Sequence, residues 1–323
     1  MINVSNLIKT YRGAVVAVDN ISFSVAEGEF FGFLGPNGAG KTTTMRILAT
    51  LDKPSSGKVE IDGIDVLRRP AEIRKRIGFA MQAVGLDDLA SARENLLLMG
   101  QLYGLSRAEA RQRCEELLAL FALEGVADRF VTTYSGGMRR RLDVAVALMH
   151  RPRVLFLDEP TEGLDPAGRR IIWQYLKDLN NAGMTIFLTT HYMEEADFLV
   201  RELAIINRGQ LVAQGTPQAL KAAVGNSTLD LKLSETGEAR ANICEAFPGL
   251  TCSELDHRLT IELTSGMSQM QRVFDLLGRH HIEIQEFELR SPSLEDVFIK
   301  FAGERFEDEA PRARDPYMAM IRR

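Results

Sequence analysis

Cysteine is scarce. The 323 residues hold three, Cys114, Cys244 and Cys252, an odd number with no Cys-x-x-Cys spacing. That argues against a disulfide-stapled scaffold and a cysteine-built zinc site, and suits a reducing cytosol. A basic surplus is missing as well. Against 44 Asp+Glu stand 39 Lys+Arg, a net charge of -5, so the chain has no excess positive charge to spend on nucleic-acid phosphates. Long apolar runs are also absent: no stretch approaches the roughly 18 consecutive apolar residues that cross a bilayer. Met1 to Lys9 mixes polar and apolar residues and shows no signal-peptide core. What remains is ordinary globular material, 45% hydrophobic and 26% charged, over a length that suits about two domains.

Residues 1–220 alternate strand-like and helix-like segments, the pattern of an α/β fold. Ile21–Val25 alternates apolar and polar residues, as a half-buried strand does. Glu29–Leu34, Val154–Leu157 and Thr185–Thr190 are short apolar runs that read as buried strands, and Thr42–Leu51 has helical character. The insert at about 84–150 reads as mainly helical. Within it, Ser106-Arg-Ala-Glu109 predicts a capping box. The expected division is a first domain over 1–224, a second over 225–302 and a tail over 303–323. The second domain reads β-α-β-β-α-β, the ferredoxin-like order: strands at Thr228–Leu233, Leu250–Leu255, Arg258–Leu263 and Ile282–Leu289, with helices at Glu238–Phe247 and Ser268–Arg279. A last helix is expected to start at Ser291-Pro292, with Ser as N-cap and Pro at the first helical position.

Chemistry enters at Gly35-Pro36-Asn37-Gly38-Ala39-Gly40-Lys41-Thr42, which fits GxxxxGK[ST] between a strand and a helix. Glycines let the backbone curl so that several N–H groups converge on one anion, and the following helix points its positive end there. Lys41 can reach terminal phosphates, the Thr42 hydroxyl can ligate Mg²⁺, and Thr43 is the last of the candidate nucleotide-binding residues of the loop. Downstream, Val154-Leu-Phe-Leu-Asp158-Glu159 ends a buried strand in two acids. Alone, these read equally well as solvated acids. Paired with a phosphate loop, Asp158 can hold Mg²⁺ through water and Glu159 can deprotonate an attacking water.

Tyr134-Ser135-Gly136-Gly137-Met138 supplies a third motif. With the other two it resembles the signature of the ATP-binding-cassette (ABC) ATPases, whose usual form is LSGGQ. Tyr134 and Met138 depart from that form, while the phosphate-touching Ser135, Gly136 and Gly137 are intact. The resemblance implies a P-loop ABC ATPase core with a helical signature subdomain, and assigns further roles in order along the chain. Gln82 matches the Q-loop glutamine near metal and attacking water. Gly163-Leu164-Asp165 matches the D-loop, and His191 matches the switch histidine at the γ-phosphate. Tyr11 matches the aromatic that stacks on adenine, or is otherwise a half-buried strand tyrosine. The segments 134–143 and 293–298 are similar to ATP-binding subunits of the daunorubicin/doxorubicin-resistance type of exporter, whose C-terminal domain serves assembly and regulation.

The resemblance further implies a head-to-tail homodimer with ATP between the phosphate loop of one protomer and the signature of the other. It implies a separate membrane permease, suspected to be of the ABC-2 type, engaged at the cytoplasmic face through the stretch Ala83–Asn95. Nucleic acid is not an expected partner. The competing readings are a soluble ATPase on ribosomes or DNA, and a subunit that binds ATP without turnover. The first lacks the second cassette or the long coiled coils those proteins carry; the altered Tyr134 and Met138 leave the second slightly open. Arg139, Arg140 and Arg141 oppose the dipole of the helix they begin. Their expected compensation is the γ-phosphate region, an acidic partner, or Asp143 four residues after Arg139; a solvated basic face is the plain alternative.

Overall fold

The computed structural model describes residues 1–81, 85–234, 236–255, 258–263 and 266–303. Gln82, Ala83, Val84 and nearly all of the expected tail lie outside the described residues. The chain forms two compact units, the first running from Met1 to Pro217 and the second beginning at Gln218.

The first unit runs β1 (Ile2–Tyr11), β2 (Val15–Val25), β3 (Phe30–Leu34), α1 (Lys41–Leu48), β4 (Ser56–Ile61), β5 (Ile64–Asp65), α2 (Pro70–Arg74) and β6 (Ile77–Ala80). Three helices follow: α3 (Ala92–Leu102), α4 (Arg107–Leu120) and α5 (Gly136–Ala147). Then come β7 (Val154–Asp158), α6 (Pro166–Asn181), β8 (Thr185–Thr190), α7 (Met193–Leu199), β9 (Glu202–Asn207) and β10 (Gln210–Gly215). Six strands make one sheet in the order β10-β9-β3-β8-β7-β6, parallel except for β10, and a smaller antiparallel sheet runs β2-β1-β4-β5.

Every residue of β3, β7 and β8 is buried, because a parallel strand in mid-sheet is covered on both faces. Hence the middles of these segments read in sequence as continuous apolar stretches rather than as alternating ones. Strand β2 faces the core with Ile21, Phe23 and Val25 and water with the residues between, the period-2 pattern of a one-sided strand. Phe23, Phe31, Phe33 and Phe187 pack ring to ring at centroid distances of 5.4–5.9 Å. This aromatic cluster joins the two sheets and makes the floor under the site rigid.

In the second unit, α8 (Pro217–Val224) leads into β11 (Ser227–Leu233), α9 (Thr236–Ala246), β12 (Cys252–Leu255), β13 (Arg258–Leu263), α10 (Gly266–Arg279), β14 (Ile284–Arg290) and α11 (Leu294–Ala302). The antiparallel order β12-β13-β11-β14 is that of the ferredoxin-like arrangement. Leu229, Leu231, Leu259 and Ile261 of the sheet pack with Ile243 of α9 and Val273 and Leu277 of α10. The last helix corrects the sequence expectation: its N-cap is Ser293, not Ser291. Ser293 and Asp296 form a reciprocal capping box, each satisfying the other's backbone N–H, which two residues earlier Ser291 has no acid to do. Lys300 closes the far end by donating to the Ala223 carbonyl at 2.6 Å.

Candidate functional site

Strands β3, β8 and β7 end side by side, Leu34 paired with Thr190 and Asp158 with Thr189. Ligands of open parallel sheets bind beyond such carboxyl ends. The loop Gly35–Gly40 leaves β3 at this edge, with the Gly35 N–H donating to the Thr190 carbonyl at 3.3 Å. Gly40 has φ +107, and a Cβ there would sit 2.4 Å from the Ala17 carbonyl oxygen. A side chain is excluded both by the left-handed backbone and by the close strand. Gly38, at φ +79, turns the exposed crest of the loop beside Asn37. Helix α1 begins at Gly40 without a side-chain cap and with no acid in its first turn. Its free N–H groups and positive dipole end are therefore left for an anion.

Lys41 is 4% exposed, and its ammonium donates to the carbonyls of Gly35 at 2.8 Å and Pro36 at 3.1 Å. It also pairs with Glu159 Oε1 at 3.1 Å. The other oxygen of Glu159 meets His191 Nδ1 at 3.0 Å. Burial pushes the Glu159 carboxyl up, but the His191 hydrogen bond and the Lys41 charge outweigh it and hold the group below its ordinary value. Glu159 is thus an ionised carboxylate in a water-poor place. Asp158 beside it is raised, because burial and then the neighbouring Glu159 charge outweigh its hydrogen bonds. Those bonds come from Thr189 and, at 3.2 Å, from Thr42 Oγ1. Thr189 is not marked by any motif in the sequence; the available signal is the hydroxyl pair Thr189-Thr190 that ends the Ile-Phe-Leu stretch of β8.

Tyr11 lies at the end of β1, and 38% of its surface is exposed. Its hydroxyl donates to Asp52 at 2.8 Å, and the Lys9 ammonium sits 4.7 Å above the ring and 2.7 Å from the same Asp52. Burial and the Asp52 contacts raise the phenol above its ordinary value despite a hydrogen bond with Thr43. The ring is therefore fixed at the rim of the loop by two residues, Lys9 and Asp52, that the sequence did not single out.

The signature residues form a separate place. Tyr134 is buried, with its hydroxyl donating to the Val126 carbonyl at 2.7 Å. Ser135 caps α5, accepting from the Met138 N–H at 3.3 Å. Asp165 likewise caps α6, accepting from the Gly168 N–H at 3.2 Å. Ser135, Gly136, Gly137, Gly163, Leu164 and Asp165 line one cleft of about 460 Å³. The structure thus brings the third motif and the D-loop match together at two helix N-termini, and Lys41, Asp158, Glu159 and His191 together at the sheet edge.

The three arginines of α5 correct another expectation. Asp143 pairs with Arg140, three residues before it, at 2.9 Å. Arg139 pairs with Asp88 instead, and Arg141 donates to the Phe121 carbonyl at 3.0 Å. Arg140 is 5% exposed, so the plain alternative of a solvated basic face fails for it. Each charge finds a partner away from the helix axis, which offsets the adverse dipole.

Known proteins similar to the chain point to one family. A family model described as "ABC transporter" matches residues 18–162, and one described as "ATP-binding protein DrrA1-3-like, C-terminal domain" matches 215–302. The chain is 41% identical over 304 residues to a daunorubicin resistance ATP-binding protein of Streptomyces coeruleorubidus, covering 94% of this chain and 96% of that one. It is 40% identical over 305 residues to a Nod factor export ATP-binding protein of Paraburkholderia xenovorans, covering 93% and 97%. A solved ATP-binding cassette, a dimer in a post-hydrolysis state with ADP and phosphate, superposes with a TM-score of 0.62 at 32% identity. That match covers 67% of this chain and 98% of the other. The chain belongs to the ATP-binding subunits of ABC transporters, and its reaction is ATP hydrolysis.

Proposed function

We propose that the chain drives export through a separately encoded permease, with Glu159 as the base that activates water. The observation that carries the reading is the buried Glu159 carboxylate between Lys41 and His191, at 3.1 and 3.0 Å, beside the phosphate loop. In that position it accepts a proton from water while Lys41 and the N-terminus of α1 hold the phosphates. His191 orients Glu159 and meets the terminal phosphate. Gly35 through Thr43 cradle the phosphate chain and Tyr11 supports the adenine. Stacking on an aromatic face suits any purine, so this contact adds affinity more than selectivity.

A hydroxyl and a carboxylate 3.2 Å apart, Thr42 and Asp158, are the hard oxygen donors Mg²⁺ takes when phosphates and waters complete its shell. Gln82 belongs to the same set in this reading. Bound there, Mg²⁺ would neutralise developing phosphate charge.

The two clusters of the unit fit a head-to-tail homodimer. The Ser135-Gly136-Gly137 end of one protomer, with Asp165 nearby, closes on nucleotide held by the phosphate loop of its partner. ATP favours the closed pair and hydrolysis releases it, so a ligand-biased two-state element does the work. Among the described residues no helix is long and apolar enough to cross a membrane. In this reading the permease is a separate polytopic protein, of the ABC-2 type. The subunit sits on the cytoplasmic face and docks through the stretch ending at Asn95, where Leu89 is 80% exposed. The names of relatives, resistance to daunorubicin and export of Nod factor, support outward transport of a drug, lipid or polysaccharide.

Glu159→Gln tests this. The variant should bind ATP, lose nearly all turnover and persist as an ATP-dependent dimer. Tagged and captured from native membranes with ATP and Mg²⁺, it should bring down a polytopic membrane protein in about equal amount. Wild-type-like phosphate release would remove Glu159 as the base. Capture of ribosomal or other soluble proteins alone would overturn the exporter reading.

A further inference from the structure

We propose that Arg140 is a positioning residue for Glu159, tying the signature helix of each protomer to that protomer's own hydrolytic carboxylate. The inference rests on the reading of Glu159 as the base. Arg140 lies in α5, five residues beyond Ser135, and is buried to 5% exposure. Its Nε donates to the Pro160 carbonyl at 2.7 Å and its Nη2 to the Asp158 carbonyl at 3.0 Å. Its Nη1 donates to the Met81 carbonyl and to Asp143 Oδ2. One planar guanidinium therefore grips the residues on either side of Glu159 and the end of the neighbouring strand β6.

Glu159 needs such a grip. Its backbone has φ +47, the left-handed region that side-chain-bearing residues seldom occupy. From the other side its N–H is held by the Thr189 carbonyl at 3.1 Å. Clamped between these partners, the turn aims the carboxylate at Lys41 and His191. With the clamp removed, the peptide can relax toward ordinary backbone angles and the carboxylate swings off the line of attack. Small misplacements of this kind act on turnover before they act on binding.

Asp143 makes the buried guanidinium tolerable. It pairs with Arg140 at 2.9 Å and accepts the Gly85 N–H. The Arg140–Asp143 pair thus contacts both described flanks of the segment that contains Gln82. A lysine could not replace it, because a single ammonium cannot span carbonyls that lie in different directions, whereas the guanidinium fork is built for that. The same N-terminal half of α5, five residues before Arg140, holds the Ser135 cap, which in the proposed dimer meets the partner's nucleotide. A shift of α5 as that interface closes is carried by Arg140 to the carbonyls around Glu159. The hydrolytic carboxylate of one site therefore senses closure at the other site through a single helix.

The test is Arg140→Lys in the full chain, with thermal unfolding and ATP binding measured beside steady-state phosphate release. The expected result is kcat lower by about tenfold or more while the ATP Kd stays within about twofold, a loss of transition-state geometry rather than of binding. A folded variant with wild-type kcat overturns the proposal. So does a fall in kcat matched by an equal fall in ATP affinity, which would mark general disruption of the site. If Arg140→Lys does not fold, Asp143→Asn decides. It keeps the carbonyl bonds and weakens only their charged support, so kcat should drop severalfold at unchanged ATP affinity, and an unchanged kcat overturns the proposal. Glu159→Gln run in parallel separates the two failures. Wild-type turnover there sinks the base assignment itself; an inactive Glu159→Gln beside a fully active Arg140→Lys sinks only the positioning role.

Discussion

Asp143 is caught between two demands, neutralising Arg140 and leaving water. Burial dominates, and its carboxyl is raised from 3.8 to about 6 even with Arg140 beside it. The folded chain therefore keeps a proton on Asp143 in a range where the unfolded chain has already released it. By linkage, this group makes stability fall as pH rises from about 4 to about 6, and the full penalty stands above that window. Asp143→Asn has no such proton to lose. Its urea midpoint relative to wild type should drift upward between pH 4.5 and pH 7; parallel midpoints at both pH values would show that Asp143 titrates normally. At this scale the sequence is readable wherever chemistry is local. Spacing alone places Lys41 six residues after Gly35 and Glu159 one residue after Asp158. In sequence Arg140 reads only as an adverse charge near a helix N-terminus. Its contacts with Met81, Asp158 and Pro160 come from two strands distant in the chain, and no short pattern announces their convergence.

Helix α4 shows how an element can be read from its own ends. Ser106 accepts the Glu109 N–H at 3.3 Å, and Glu109 reaches back to the Ser106 N–H at 2.9 Å. Both partners are local, so the start of α4 is legible without the fold. Ser106→Ala takes the acceptor from the Glu109 N–H while the backbone N–H at 106 keeps the Glu109 carboxylate, and it should cost about 1 kcal/mol in urea unfolding, the usual value of an N-cap. A change indistinguishable from zero would mean that packing against α3 and α5 alone sets this boundary. The same local logic explains the misplaced start of α11. Ser291-Pro292 satisfies one weak rule for a helix start, whereas Ser293 with Asp296 satisfies two backbone donors at once. Buried strands were legible as apolar runs, but their neighbours were not. That β3 lies between β8 and β9 is decided by crossovers around the sheet, and it is this order that sets the phosphate loop beside Asp158 and His191.

The two units have separate hydrophobic cores, one built on Phe23, Phe31, Phe33 and Phe187 and the other on Leu229, Leu231, Leu259 and Ile261. Every residue proposed to meet the nucleotide, from Tyr11 to His191, belongs to the first unit, which runs from Met1 to Pro217. In sequence the chain changes pattern from alternating strands and helices to β-α-β-β-α-β near 225, while the compact units divide at Pro217. A chain truncated after Pro217 keeps its own core and all of the phosphate loop. It should bind ATP with a Kd within about threefold of the full chain, since binding energy comes from groups that contact the ligand. A Kd weakened by about tenfold or more, equivalent to about 1.4 kcal/mol, would show that the second unit contributes to the nucleotide site. If instead ATP binding survives truncation while turnover or permease capture is lost, the second unit acts on assembly of the closed pair. That outcome would locate its contribution after nucleotide binding, at the step where two protomers must meet.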